Sequence, residues 1–143
     1  MAGFDHVALS AFGKNHSLQF SNNNLIETSD TVVSKIEKED FDCSIIVGTD
    51  PISHFPSNLS QKIMKKPLIL VDNKRSATLL VADIVFPSAI TGIECGGLAY
   101  RVDHIPVELK KILTPPTNIY TDEEILKKLI QTLKEAWNYG NEA

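Results

Sequence analysis

The chain has 143 residues, 43% of them hydrophobic and 22% charged, which is the size and balance of one globular domain and sets aside a disordered chain or two large domains. Its net charge is -4 and its 14 Lys and Arg are scattered, so no basic stripe awaits a nucleic-acid backbone, and no apolar run is long enough to span a bilayer. Two cysteines, Cys43 and Cys95, stand far apart with no secretory leader before them, which predicts a reduced, cytoplasmic setting.

The opening residues 1–5 run straight into apolar sequence, as in a domain cut from something longer. Residues 6–12 (HVALSAF) form a short apolar run before Gly13 and are expected to be a first buried strand. The polar stretch 15–24, with three consecutive asparagines, is expected to be a loop, facing either a cofactor or only solvent. Asp30 is placed to cap a helix over 31–38, in which Val32, Val33 and Ile36 share one face. Residues 41–47 (FDCSIIV) read as a second strand, apolar enough to be buried on both faces as in a parallel sheet, which would make Cys43 an inert core residue. A short helix over 58–65 sets Leu59 and Ile63 four residues apart. Strands follow at 67–71 (PLILV) and 84–86, separated by a short helix at 77–81.

Strand, helix, strand, helix, strand is the order of parallel crossovers. It predicts an α/β fold: an open, mostly parallel, Rossmann-like sheet with helices on both faces. Residues 92–100 read as a glycine-punctuated loop, and 100–107 as an irregular edge. Residues 114–120, with Pro115 and Pro116, are a linker. Thr121 and Glu124 make a capping box for a C-terminal amphipathic helix over 121–138. Its apolar face (Ile125, Leu126, Leu129, Ile130, Leu133, Trp137) is expected to pack on the same domain or on a partner, with a homodimer as one option.

In open parallel sheets ligands sit beyond the carboxyl ends of the strands, which directs attention to two exit loops. After 46–47, Gly48 allows close backbone approach, Asp50 offers a carboxylate and Pro51 fixes the turn, while the helix after Phe55 and Pro56 aims free amides at the same place. Asp50 either accepts hydrogen bonds from a guanine edge or ribose, or caps its own turn. The second loop, 71–76, carries Asp72 and Asn73 with Lys74 and Arg75, a set suited to a ribose diol beside a phosphate; as a simpler alternative, the two cations are only a solvated pair. The four histidines lack metal-ligand spacing, and the HExxH, CxxC, GxSxG, GxGxxG and GxxxxGK[ST] motifs are absent. No catalytic or metal-ligating residue is therefore assigned.

Three segments, IIVGTDPISHFP (45–56), PLILVDNKRSATLLVADIVFPSAI (67–90) and GIECGGLAYRVDHIPVEL (92–109), carry a resemblance through their order and spacing. The chain resembles the molybdopterin oxidoreductases, and among them the C-terminal part of the B-subunit family of formylmethanofuran dehydrogenases, which are methanogenesis-related. The resemblance implies that residues 1–113 form a pterin-dinucleotide-binding domain holding molybdopterin guanine dinucleotide of a tungsten or molybdenum centre. It further implies that Gly48, Thr49, Asp50 and Pro51 line the dinucleotide, that His54 and Phe55 flank it, and that Asp72, with Asn73 beside it, meets the guanosine end. Glu94, Gly97 and Arg101 would belong to a loop near the pterin or a domain interface; for Arg101 a salt bridge to Asp103 or Glu94 is the competing role. The implied partners are the remainder of the catalytic subunit and other dehydrogenase subunits. The metal-ligating and iron–sulfur residues of such enzymes have no counterpart in this sequence, so the resemblance implies grip on the cofactor rather than catalysis by this chain alone.

Overall fold

The computed structural model describes residues 2–14, 18–22, 24–26 and 30–141. The chain is mixed α/β. Helix α1 (Ala2–Phe12) leads to a hairpin of β1 (Gln19–Ser21) and β2 (Asn24–Ile26), and helix α2 (Val32–Lys38) follows. Strand β3 (Ser44–Val47), helices α3 (Pro51–His54) and α4 (Ser57–Met64), strand β4 (Leu68–Asp72), a 3-10 turn over Thr78–Leu80 and strand β5 (Ile84–Pro87) make the central unit. A second hairpin, β6 (Gly97–Tyr100) with β7 (Pro106–Leu109), precedes the long helix α5 (Asp122–Asn141).

The central sheet is parallel, in the order β3-β4-β5, with Val47 beside Val71 and Val71 beside Phe86. This matches the open parallel sheet expected from the three apolar runs. Its core lies on one face, where Ile36 of α2 and Leu59 and Ile63 of α4 pack with Leu68 and Leu70, flanked by Phe41, Ile46, Phe55 and Leu79. The predicted pair Leu59 and Ile63 is thus the buried edge of α4. On the other face Ile45 and Ile84 are 55% and 50% exposed. The expectation that β3 is buried on both faces therefore fails: β3 is an edge strand and its alternate side chains reach the surface. Cys43 is exposed, not core, because it lies just before that edge strand.

Four local expectations are corrected. Residues 6–12 belong to α1, not to a strand; a seven-residue apolar run does not distinguish the two periodicities, and here Ala8 is buried while His6 stacks on Tyr100 with ring centroids 4.6 Å apart. Thr31, not Asp30, caps α2: its hydroxyl accepts from Ser34 N–H at 3.1 Å, while Asp30 accepts from the Lys38 ammonium at 2.8 Å and is thereby held below the usual carboxylate range. The edge expected at 100–107 is instead a regular antiparallel ladder, Gly97 to Tyr100 against Pro106 to Leu109. Within the stretch expected to be a loop, residues 19–21 pair with 24–26, and residues 15–17 and 23 lie outside the described residues.

The capping box at α5 forms as expected. Thr121 N–H donates to Glu124 Oε2 at 2.8 Å, and Glu124 N–H donates to Thr121 Oγ1 at 3.2 Å. Of the apolar stripe on this helix, Ile125 is buried and Leu129 half-buried, while Ile130, Leu133 and Trp137 are exposed. No helix among the described residues is long and apolar enough to cross a membrane.

Candidate ligand site at the carboxyl ends of the strands

Parallel strands bring their exit loops to one rim, so the loops after β3, β4 and β5 are neighbours. The loop after β3 turns at Gly48, whose φ of +60° is a conformation that favours glycine, and Gly48 N–H donates to Val71 O at 2.9 Å. Pro51 then starts α3. Asp50 sits between these points, and its carboxylate is fully engaged. Oδ1 accepts from Thr78 N–H at 3.0 Å and from the Thr78 hydroxyl at 2.6 Å; Oδ2 accepts from the Ser53 hydroxyl at 2.6 Å and from Ala77 N–H at 3.2 Å. Ser53 and Thr78 hydroxyl donation, with the two backbone amides, holds the Asp50 carboxyl well below the usual carboxylate range. Asp50 thus ties the β3 exit to the 3-10 turn beyond β4 and has no acceptor capacity in reserve.

Asp72 ends β4 and is 5% exposed. Its Oδ1 accepts from Asn73 N–H at 2.8 Å, and its Oδ2 is buried with no hydrogen-bond partner. Ser88, directly after β5, is also 5% exposed, and its buried Oγ likewise has no partner. A buried polar atom without a partner costs about 1–3 kcal/mol. Asp72 and Ser88 both line a cavity of about 320 Å³, together with Asn73, Lys74, Arg75 and Glu94. Its far wall is Pro116 and Ile119, brought close because Ala89 N–H donates to Tyr120 O at 2.8 Å.

Apart from Gly48 and Asp50 at the β3 exit, the residues singled out from the sequence fall into three places. Asp72, Asn73 and Glu94 share this cavity, with Glu94 also closing its own loop by accepting from Ile90 N–H at 2.9 Å. Thr49, Pro51, His54 and Phe55 line a separate apolar groove of about 560 Å³ along β3. Gly97 and Arg101 lie at the β6–β7 hairpin, where Arg101 pairs with Asp103 at 3.0 Å, the alternative weighed for it. Gly96, one residue earlier, is constrained by close approach: a Cβ there would stand 2.9 Å from Leu109 O. Ser88 was missed by the sequence reading, although the rule that pointed to the other strand exits applies to it equally.

Polar exit loops gathered at one end of a parallel sheet, with an under-used acid among them, lie where ligand-binding α/β proteins hold their ligands, at the strand termini. Similarity to known proteins narrows this. The chain is 36% identical over 124 residues to the B subunit of tungsten-containing formylmethanofuran dehydrogenase 2 of Methanocaldococcus jannaschii, and 35% identical over 137 residues to its counterpart in Methanococcus maripaludis. These matches take in 87% and 93% of this chain, but the chain spans only about a third of the length of these curated relatives, 28% and 31%. No family model matches. The resemblance drawn from the three motif segments is borne out: the chain is homologous to a portion of the formylmethanofuran dehydrogenase B subunit.

Proposed function

We propose that the chain is the cofactor-gripping portion of a formylmethanofuran dehydrogenase-like molybdopterin oxidoreductase, and that its cavity takes the guanosine end of a pyranopterin guanine dinucleotide. The observation that carries this reading is that Asp72 and Ser88, each with a buried side-chain oxygen that has no partner, line one cavity at the ends of adjacent parallel strands. A guanine edge or ribose diol supplies N–H and O–H donors to the carboxylate and either role to the hydroxyl. Lys74 and Arg75 on the same wall offer cations to a phosphate. The residues thus fit the group by their hydrogen-bonding chemistry.

When bound, the tungsten or molybdenum centre and its pterin ligands would supply the electron chemistry interconverting a formyl group and carbon dioxide. This chain's own work is to orient and hold. Asp72 accepts, Ser88 donates or accepts, and Lys74 with Arg75 balances charge. Asp50 acts indirectly by fixing the two rim loops that frame the cavity. In this reading the three-stranded sheet belongs to a larger Rossmann-like sheet, residues 1–113 form the cofactor domain, and the remaining polypeptide is the partner in a cytoplasmic enzyme.

The test is a thermal-shift series with guanosine and adenosine nucleotides at millimolar concentration. Guanosine nucleotides are expected to raise the melting temperature and Asp72→Ala to abolish the rise. Equal behaviour of wild type and Asp72→Ala towards every nucleotide would refute the site.

A further inference from the structure

Strand β3 has a neighbour on only one side among the described residues. Ser44 N–H donates to Pro67 O and Gly48 N–H to Val71 O, each at 2.9 Å, so the amides of every second residue point toward β4. Alternation turns the amides of Ile45 and Val47 to the opposite edge, where the sheet is open. The groove along this edge is mostly apolar: Val32, Ile36, Phe41, Ile45, Val47 and Phe55 are among its walls. Ile45 is 55% and Val47 39% exposed.

Parallel sheets are normally covered on both faces, and a flat apolar edge left open invites another strand. The relatives show how much polypeptide is available to provide one: with 28% and 31% of their length matched, more than two thirds of each lies outside the region this chain resembles. We infer that the β3 edge and its groove are an interface that receives an extended apolar segment from the remaining part of a B-type subunit, pairing with the backbone of Ile45 and Val47. This rests on the reading of the chain as a portion of such a polypeptide. It deepens that reading by naming the partner and the place where it attaches.

The experiment co-expresses the chain with the unmatched remainder of the Methanococcus maripaludis relative, isolates the complex by size, and reads amide hydrogen exchange in free and bound chain. The inference expects a complex in which the Ile45 and Val47 amides exchange about tenfold or more slowly than in the free chain. Ile45→Pro removes an edge-facing donor without removing a bond to β4, and is expected to weaken the complex about tenfold or more. Val102→Glu, at the exposed β6–β7 hairpin, should leave it intact. Exchange in the wild-type complex decides the matter even if Ile45→Pro misfolds. A complex in which both amides stay fast, protection by a second copy of this chain instead, or no complex at all would overturn the inference. The guanosine-nucleotide shift is read separately on the same chain, so failure of the interface and failure of the cofactor site are distinguishable.

Discussion

Asp50 and Asp72 leave neighbouring parallel strands at the same rim, and their surroundings have opposite characters. Asp50 accepts four hydrogen bonds, three of them from residues 27 and 28 positions away, and is consumed by the fold. Asp72 accepts one, from the next residue, and keeps an oxygen buried with nothing to bind. An acid at a strand exit is thus free to meet a ligand only where the fold leaves it under-used; the same residue type one strand away does structural work instead.

Substitutions put this contrast at risk. The scale is set by Leu70→Ala, which opens a cavity in the core beneath both loops; Leu70 is fully buried, and about 2–5 kcal/mol of stability should be lost in denaturant titration. Asp50→Ala should follow with a melting temperature lower by several degrees, because Thr78 and Ala77 lose their acceptor. Asp72→Ala should change stability by less than about 1 kcal/mol, since the lost bond to Asn73 is offset by relief of the orphaned oxygen, while guanosine-nucleotide affinity falls. If Asp72→Ala proves the more destabilising of the two, the contrast between the loops is wrong.

Acid separates the two loops as well. The Asp50 carboxyl titrates lower in the folded chain than in the unfolded one, so its contribution is complete above the ordinary carboxylate pKa and drains away as pH falls below it. Between about pH 5 and pH 2 the wild type should lose more melting temperature than Asp50→Asn does. The most local effect is expected at the far end of the chain: Thr121→Ala removes the cap of α5 and should cost about 0.5–2 kcal/mol of helix stability, seen as reduced helical circular dichroism.

Much of this was legible from residue patterns. The three parallel strands followed from apolar runs bounded by polar exits, and the α5 cap from Thr121 and Glu124. Asp72 was singled out because it ends such a run. The engagement of Asp50 was not legible, since Thr78 and Ala77 come near only after β4 has crossed back. Helix α1 was misread because a mostly apolar run of seven residues satisfies strand and helix alike. The burial of β3 was misjudged for a related reason: an apolar strand looks the same in sequence whether or not its outer face is covered.

Trp137 is the sole tryptophan, 73% exposed near the end of a helix whose apolar stripe is mostly uncovered. Its fluorescence emission should therefore be that of indole in water and change little when the sheet melts. A blue shift would report instead that something has settled on this helix, giving an optical signal for assembly that is separate from the signal for folding.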